Sequence, residues 1–219
     1  MPEAETATDT DTTWLYFVRH GETEYNRQGI MQGRGIDSAL NARGREQAEA
    51  LGQRLRDQVF NTIYASPLKR TRETAAILAQ HHREAPVQYL SDLEEMAWGV
   101  YEGEPPSEER DRILSTMKER WRQGGHDEPI KGGESIREVQ ERALRAVNHI
   151  TAQETGSSVL VVTHGRFLRV ALASILDGYG LTRMHEFPHA NTTVNRIAYD
   201  GRRFRADLLN CTAHLEANG

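Results

Sequence analysis

Two stretches of the chain share one form. Phe17-Val18-Arg19-His20-Gly21 and Leu160-Val161-Val162-Thr163-His164-Gly165 each run from a short apolar segment straight into His-Gly. Short apolar runs rich in aromatic and β-branched residues read as buried strands. Strands that alternate with helices build a parallel sheet with helices on its faces. In an open sheet of that kind, ligands sit beyond the carboxyl ends of the strands. Both histidines therefore belong on one edge. Glycine behind each of them lets the backbone turn tightly and approach a ligand. If a helix follows, its first free N–H groups and its dipole favour an anion there.

The chain between the junctions keeps this alternation. After His20, Glu22 to Arg27 makes one short helical turn, and Gln28 to Leu40 is a loop. Asn41 caps a helix over 42–58 with Ala48, Leu51 and Leu55 on one face. Gly44 lies inside that helix, where a glycine costs stability and so marks a close contact. Asn61 to Ala65 reads as a second strand, and Ser66-Pro67 as the N-cap and first position of a helix to about Gln80. Pro86 to Leu90 is a third strand, and Asp92 to Gly103 a loop. Helices follow over 107–123 and 134–151, then a strand over 158–163, an apolar helix over 166–176, a loop over 187–193 and a hairpin of 194–199 with 204–209. The expected fold is a three-layer α/β/α sandwich around a mainly parallel sheet.

The chain's 219 residues suit one such domain, over 14–219. The preceding residues, 1–13, carry Glu3, Glu5, Asp9 and Asp11 without Lys, Arg or an apolar segment. They read as a mobile acidic tail rather than a signal peptide. The net charge of -5 excludes the strongly basic balance that nucleic acid or an anionic membrane would require. No apolar run approaches the length of a membrane span. Cys211 is the single cysteine, so neither an internal disulfide nor a thiolate metal site is available. A reducing, cytoplasmic setting fits.

The Ser66-Pro67 junction brings Arg70 to the edge that carries Arg19, His20 and His164. Two histidines suggest a metal site, but arginines beside them would repel a divalent cation. The alternative is an anion site, because the planar fork of arginine matches phosphate oxygens bidentately. A neutral histidine can attack phosphorus in line, and an alcohol leaving group then needs a proton from a nearby acid. Glu94, Glu95 and Glu102 in the loop over 92–103 are the candidates.

Arg19-His20-Gly21-Glu22-Thr23-x-x-Asn26 resembles the signature of the histidine phosphatase superfamily, the phosphoglycerate mutase-like proteins. Further blocks extend the resemblance along most of the chain. They are Gln32-Gly33 with Asp37-x-x-Leu40, Gly44-x-x-Gln47-Ala48, Ser66-Pro67-Leu68-x-Arg70-Thr71-x-x-Thr74-Ala75, Leu93-x-Glu95-x-x-x-Gly99-x-x-Glu102-Gly103, Gly132-Gly133-Glu134-Ser135, Val161 to Gly165, and Asn191. The resemblance implies that His20 is the nucleophile, that Arg19, Arg70 and a protonated His164 bind the phosphoryl group, and that Glu95 is the general acid. Gly21, Thr23, Asn26, Gln32, Gly33 and Gly165 would join in substrate binding. It implies no metal and no organic cofactor. Its expected ligand is a small phosphorylated substrate, bound by a monomer or homodimer. Ala39 and Asn41 stand where the family often has proline and threonine, and Tyr25 where it often has tryptophan. None of these is in the implied catalytic set.

Mutases of this family carry a longer insertion after the acid loop than the segment Glu104 to Lys131 here. By that analogy this segment is a small helical lid, and phosphomonoester hydrolysis is favoured over phosphoglycerate mutase activity or non-catalytic binding of a phosphorylated ligand. Arg110, Arg112, Lys118, Arg120 and Arg122 in the lid suggest contact with a second acidic group on the substrate. Acidic residues interleave them, so the pattern reads first as a solvated helix face. Ile113, Met117 and Trp121 form its apolar stripe.

Overall fold

The computed structural model describes residues 12–216. Six strands form one sheet in the order β3-β2-β4-β1-β5-β6. They are β1 (Thr13–Arg19), β2 (Thr62–Ala65), β3 (Val87–Tyr89), β4 (Ser158–Thr163), β5 (Val194–Tyr199) and β6 (Phe204–Cys211). The first four run parallel, and β5 and β6 close the sheet antiparallel. The α-helices are α1 (Glu24–Arg27), α2 (Ala42–Leu55), α3 (Lys69–His81), α4 (Glu108–Arg122), α5 (Ile136–Gln153), α6 (Gly165–Ile175) and α7 (Ala213–Glu216), and short 3-10 helices lie at Ser91–Leu93, Gly99–Tyr101 and Leu181–Glu186.

Alternation along the central strands divides the core into two layers. Leu15, Phe17, Val159 and Val161 pack with α5 and α6 on one face. Tyr16, Val18, Leu160 and Val162 pack with α2 and α3 on the other. The three-layer α/β/α sandwich with a mainly parallel sheet is the observed fold. Trp14 to Arg19 pairs residue for residue with Ser158 to Thr163, so His20 and His164 leave adjacent strands side by side.

Two local expectations are corrected. Thr13, assigned to the acidic tail, begins β1 and is buried. Its hydroxyl donates to the Glu154 carbonyl and accepts from the Gly156 N–H, tying the strand to the turn after α5. The rest of that tail, to residue 11, lies outside the described residues. Ser66 is not a helix cap. The helix starts two residues later than expected, with Leu68 in the cap position and no side-chain cap. The Ser66 hydroxyl instead meets Nε2 of His164 at 2.9 Å, and Thr71 Oγ1 donates to the Ser66 and Leu68 carbonyls.

Asn41 does cap α2, its Oδ1 accepting from the Gly44 N–H. Gly44 is the close contact its position suggested. A Cβ there would strike the Glu22 backbone, and one on Gly21 would strike the Gly44 carbonyl. This glycine-on-glycine packing lays the first turn of α2 against the loop behind His20.

The segment over 104–131 is built on α4. Ser107 caps that helix, and Leu114 and Trp121 are its buried residues. Both join the core cluster on the α5–α6 face, together with Ile130. Ile113 and Met117 are only half-buried.

Candidate active site

His20 follows the last residue of β1 and is buried. Its Nδ1 lies 2.7 Å from the Gly21 carbonyl oxygen. A carbonyl only accepts, so Nδ1 carries the proton and Nε2 keeps its lone pair. Burial, then the charges of Arg70 and Arg19, hold the ring well below the ordinary histidine range. It is neutral near pH 7.

Arg70 projects from the first turn of α3 and is almost completely buried. It donates through Nη1 to the Ile36 carbonyl, through Nη2 to the Gly33 carbonyl, and through Nε to Nδ1 of His164. Two of its five N–H donors stay available. Arg19 ends β1 and donates through Nη1 to the His189 carbonyl at 2.5 Å. Its buried Nε has no partner. Burial brings Arg19 down to about 10, which leaves it charged at neutral pH.

His164 corrects the expectation of a protonated ring. A nitrogen that accepts from Arg70 carries no proton, so Nδ1 is unprotonated and Nε2–H donates to Ser66. Burial first, then Arg70 and His20, push its pKa well below the ordinary value. The two rings sit edge to face with centroids 5.2 Å apart.

Of the three loop carboxylates, Glu95 lines the cavity beside His20. Its oxygens accept from the Met96, Phe167 and Arg166 backbone N–H groups, so it also caps the start of α6. Glu94 pairs with Arg34 at 2.6 Å. Glu102 accepts from the Arg34, Gly35 and Trp98 N–H groups and is structural. A Cβ on Gly33 would enter its carboxylate, which accounts for glycine there at φ 56°.

A second carboxylate fixes the loop that bears Glu95. Glu134 accepts from the Ala97 N–H and from Nε and Nη2 of the buried Arg142. Arg142 in turn donates to the Asp92 and Glu94 carbonyls. The Gly-Gly-Glu-Ser block thus reaches the site indirectly: Gly133 allows close approach to Ala97, Glu134 pins the loop, and Ser135 caps α5.

These side chains surround a cavity of about 230 Å³. Arg19, His20, Asn26, Gln32, Gly33, Arg70, Glu95 and Gly165 line it. His164 lies behind Arg70 and His20. Gly21 and Thr23 do not line it. The Gly21 N–H is spent on Thr74 Oγ1. Thr23 is buried, caps α1 and accepts from Gln32. Asn191 donates to the His20 carbonyl. Gly29, Ile30, Met31, Trp98, Arg166 and His189 also line the cavity, and none of them was expected there from the sequence. Arg166 directly follows His164-Gly165, and that adjacency was the available signal. Among the described residues, no group of three or more His, Cys, Asp or Glu side chains is placed to hold a metal ion.

The buried histidines give stability a defined pH dependence. His20 and His164 lie well below the ordinary value, His189 is lowered to about 3 and His214 to about 4, with burial the leading cause in each. Unfolding returns them to about 6.5, so below that pH the unfolded chain binds more protons than the folded one. Stability is therefore lost as pH falls, by about 1.4 kcal/mol per pH unit for each such histidine once well below 6.5. Thermal melts at pH 7 and pH 5 should show a clearly lower Tm at pH 5. An unchanged Tm would contradict the neutral buried rings.

The profile of the histidine phosphatase superfamily (branch 1) matches residues 15–212. The Salmonella choleraesuis protein named "Probable phosphoglycerate mutase GpmB" is 33% identical over 212 residues, covering 93% of this chain and 95% of that one. Among solved structures, Bacillus stearothermophilus YhfR superposes with a TM-score of 0.81 at 33% identity, over 93% of this chain and 99% of that one. The mycobacterial glucosyl-3-phosphoglycerate phosphatase superposes with a TM-score of 0.76 at 26% identity, over 90% and 98%. Among the described residues no helix is long and apolar enough to cross a membrane. On these matches the chain belongs to the histidine phosphatase superfamily and is an enzyme of the histidine-phosphatase type.

Proposed function

We propose that the protein hydrolyses phosphomonoesters of small metabolites without a metal, through a phosphohistidine on His20. The observation that carries this reading is the tautomer of His20. Its Nδ1–H is held by the Gly21 carbonyl, so the Nε2 lone pair is free in a cavity lined by Arg19 and Arg70. Nε2 attacks phosphorus while the bond to the ester oxygen breaks opposite to it. The unpartnered Nε–H of Arg19 and the two spare donors of Arg70 stabilise the equatorial oxygens. Glu95 gives its proton to the departing alkoxide, which leaves as the alcohol. Water then attacks the phosphohistidine, Glu95 takes a proton from it, and inorganic phosphate and neutral His20 result. His164 orients Arg70 through its unprotonated Nδ1.

The segment over 104–131 acts as the lid in this reading, and its modest length leaves water access to the phosphoenzyme. Names among the relatives include both a phosphoglycerate mutase and phosphatases, so the deciding experiment separates these outcomes. Incubation with 3-phosphoglycerate in EDTA should release free phosphate rather than accumulate 2-phosphoglycerate. Isomer without phosphate would establish the mutase. No turnover of 3-phosphoglycerate, p-nitrophenyl phosphate or a panel of phosphomonoesters by folded protein would leave the non-catalytic binding protein.

A further inference from the structure

A second cationic site adjoins the first. Arg166 lies in the first turn of α6 and is 8% exposed. It lines the cavity that holds His20, and also a neighbouring cavity of about 190 Å³ lined by Lys118, Trp121 and Arg169. Its guanidinium carbon sits 5.3 Å from the Trp98 ring centre and 5.0 Å from that of Trp121. Stacking on indole faces holds the plane of the guanidinium but leaves its in-plane N–H donors unsatisfied. Its Nε has no hydrogen-bond partner, and neither has the buried Nε of Arg169.

Arg166 and Arg169 are three residues apart on one helix face, where like charges repel. Lys118 faces them from α4, its pKa lowered by burial and then by these two arginines. Glu95 is the acid whose charge acts on both arginines. Its oxygens are already engaged by three backbone N–H groups. Three other lid arginines already have acidic partners: Arg120 pairs with Glu128, Arg122 with Glu119, and Arg110 with Asp111. Burying cations without an anionic partner is costly. The arrangement is complete when an anion enters.

We propose that Arg166, Arg169 and Lys118 form a subsite for a second acidic group on the substrate, either a carboxylate or a second phosphate. This rests on the first cavity being the phosphoryl site. The preferred substrate is then a phosphomonoester with an acidic group at the far end of a short polar scaffold. Arg166 stands between the two cavities and contacts the scaffold or the second anion, while Arg169 and Lys118 contact only the second anion.

The test reads binding, so it stands apart from turnover. His20→Ala protein is titrated calorimetrically with sn-glycerol 3-phosphate, with 3-phosphoglycerate, which replaces one hydroxymethyl group by a carboxylate, and with propane-1,3-diol bisphosphate. At least one diacid should bind about tenfold or more tightly than glycerol 3-phosphate, the scale of one charged hydrogen bond. Which one does so distinguishes carboxylate from phosphate. Adding Arg169→Gln should erase most of that advantage, and Arg169→Lys should keep much of it. Circular dichroism establishes that both variants are folded. Equal affinity for monoacid and diacids, no binding of either diacid, or an advantage intact in Arg169→Gln would overturn the subsite. A wild-type protein that turns over none of these esters would defeat the hydrolase reading and leave the binding comparison interpretable.

Discussion

His20→Ala should reduce p-nitrophenyl phosphate hydrolysis to background, a loss of about a millionfold in kcat on the scale seen when a covalent nucleophile is removed. The reason is specific to the tautomers in this pocket. His20 holds its proton at Nδ1 against the Gly21 carbonyl and offers Nε2. His164 is its nearest chemical substitute, yet it has no lone pair to give. Its Nδ1 accepts from Arg70 and its Nε2–H is spent on Ser66. His164 can therefore not take over the attack. Arg19, Arg70 and the α6 terminus are untouched by the change, so the variant should still bind inorganic phosphate. Wild-type enzyme quenched in alkali during turnover should carry a phosphoryl group that acid releases, and His20→Ala should carry none. Appreciable residual kcat, or an acid-stable phosphoenzyme, would overturn the mechanism.

How much of this was legible beforehand depended on the kind of signal. The strands before His20 and His164 declared themselves because a doubly covered parallel strand is a near-continuous apolar run. Their place on one sheet edge followed from the fold class, while the pairing of the two strands, with Arg19 in register with Thr163, is what the fold adds. Gly44 was readable as a contact because an interior helix glycine is costly without one. Other features had ambiguous local chemistry. Ser66-Pro67 carries the composition of a helix start, but a buried imidazole competes for the hydroxyl and takes it. Thr23 and Gly21 sit inside the motif yet act by shaping the backbone around His20, and no spacing rule separates that from contact with a ligand. Arg166 and Arg169 on an apolar helix look like solvent-facing cations in one dimension. Only the fold shows Trp98 and Trp121 arriving from two other segments to cover Arg166. His189 lies in a loop with no periodicity, where sequence carries little positional information.

Glu95→Gln should separate the two proton transfers assigned to that carboxylate. Alkyl phosphates such as glycerol 3-phosphate expel a basic alkoxide and need the proton, so the phosphorylation step should slow by about 10²–10⁴-fold. Nitrophenolate leaves without help, and phosphorylation from p-nitrophenyl phosphate should slow far less. Hydrolysis of the phosphohistidine still lacks its base in either case. Rapid mixing of the variant with p-nitrophenyl phosphate should therefore give a burst of nitrophenolate approaching one equivalent of enzyme, followed by a slow steady rate. Glycerol 3-phosphate should give no burst of glycerol. The substitution also replaces one of two accepting oxygens with an amide donor opposite backbone N–H groups at the start of α6, and melting curves would measure that cost separately. If Glu95 served only to cap the helix, both substrates would lose rate in parallel with stability and neither would show a burst. A burst with the good leaving group alone requires a carboxyl group that gives a proton in the first step and takes one in the second.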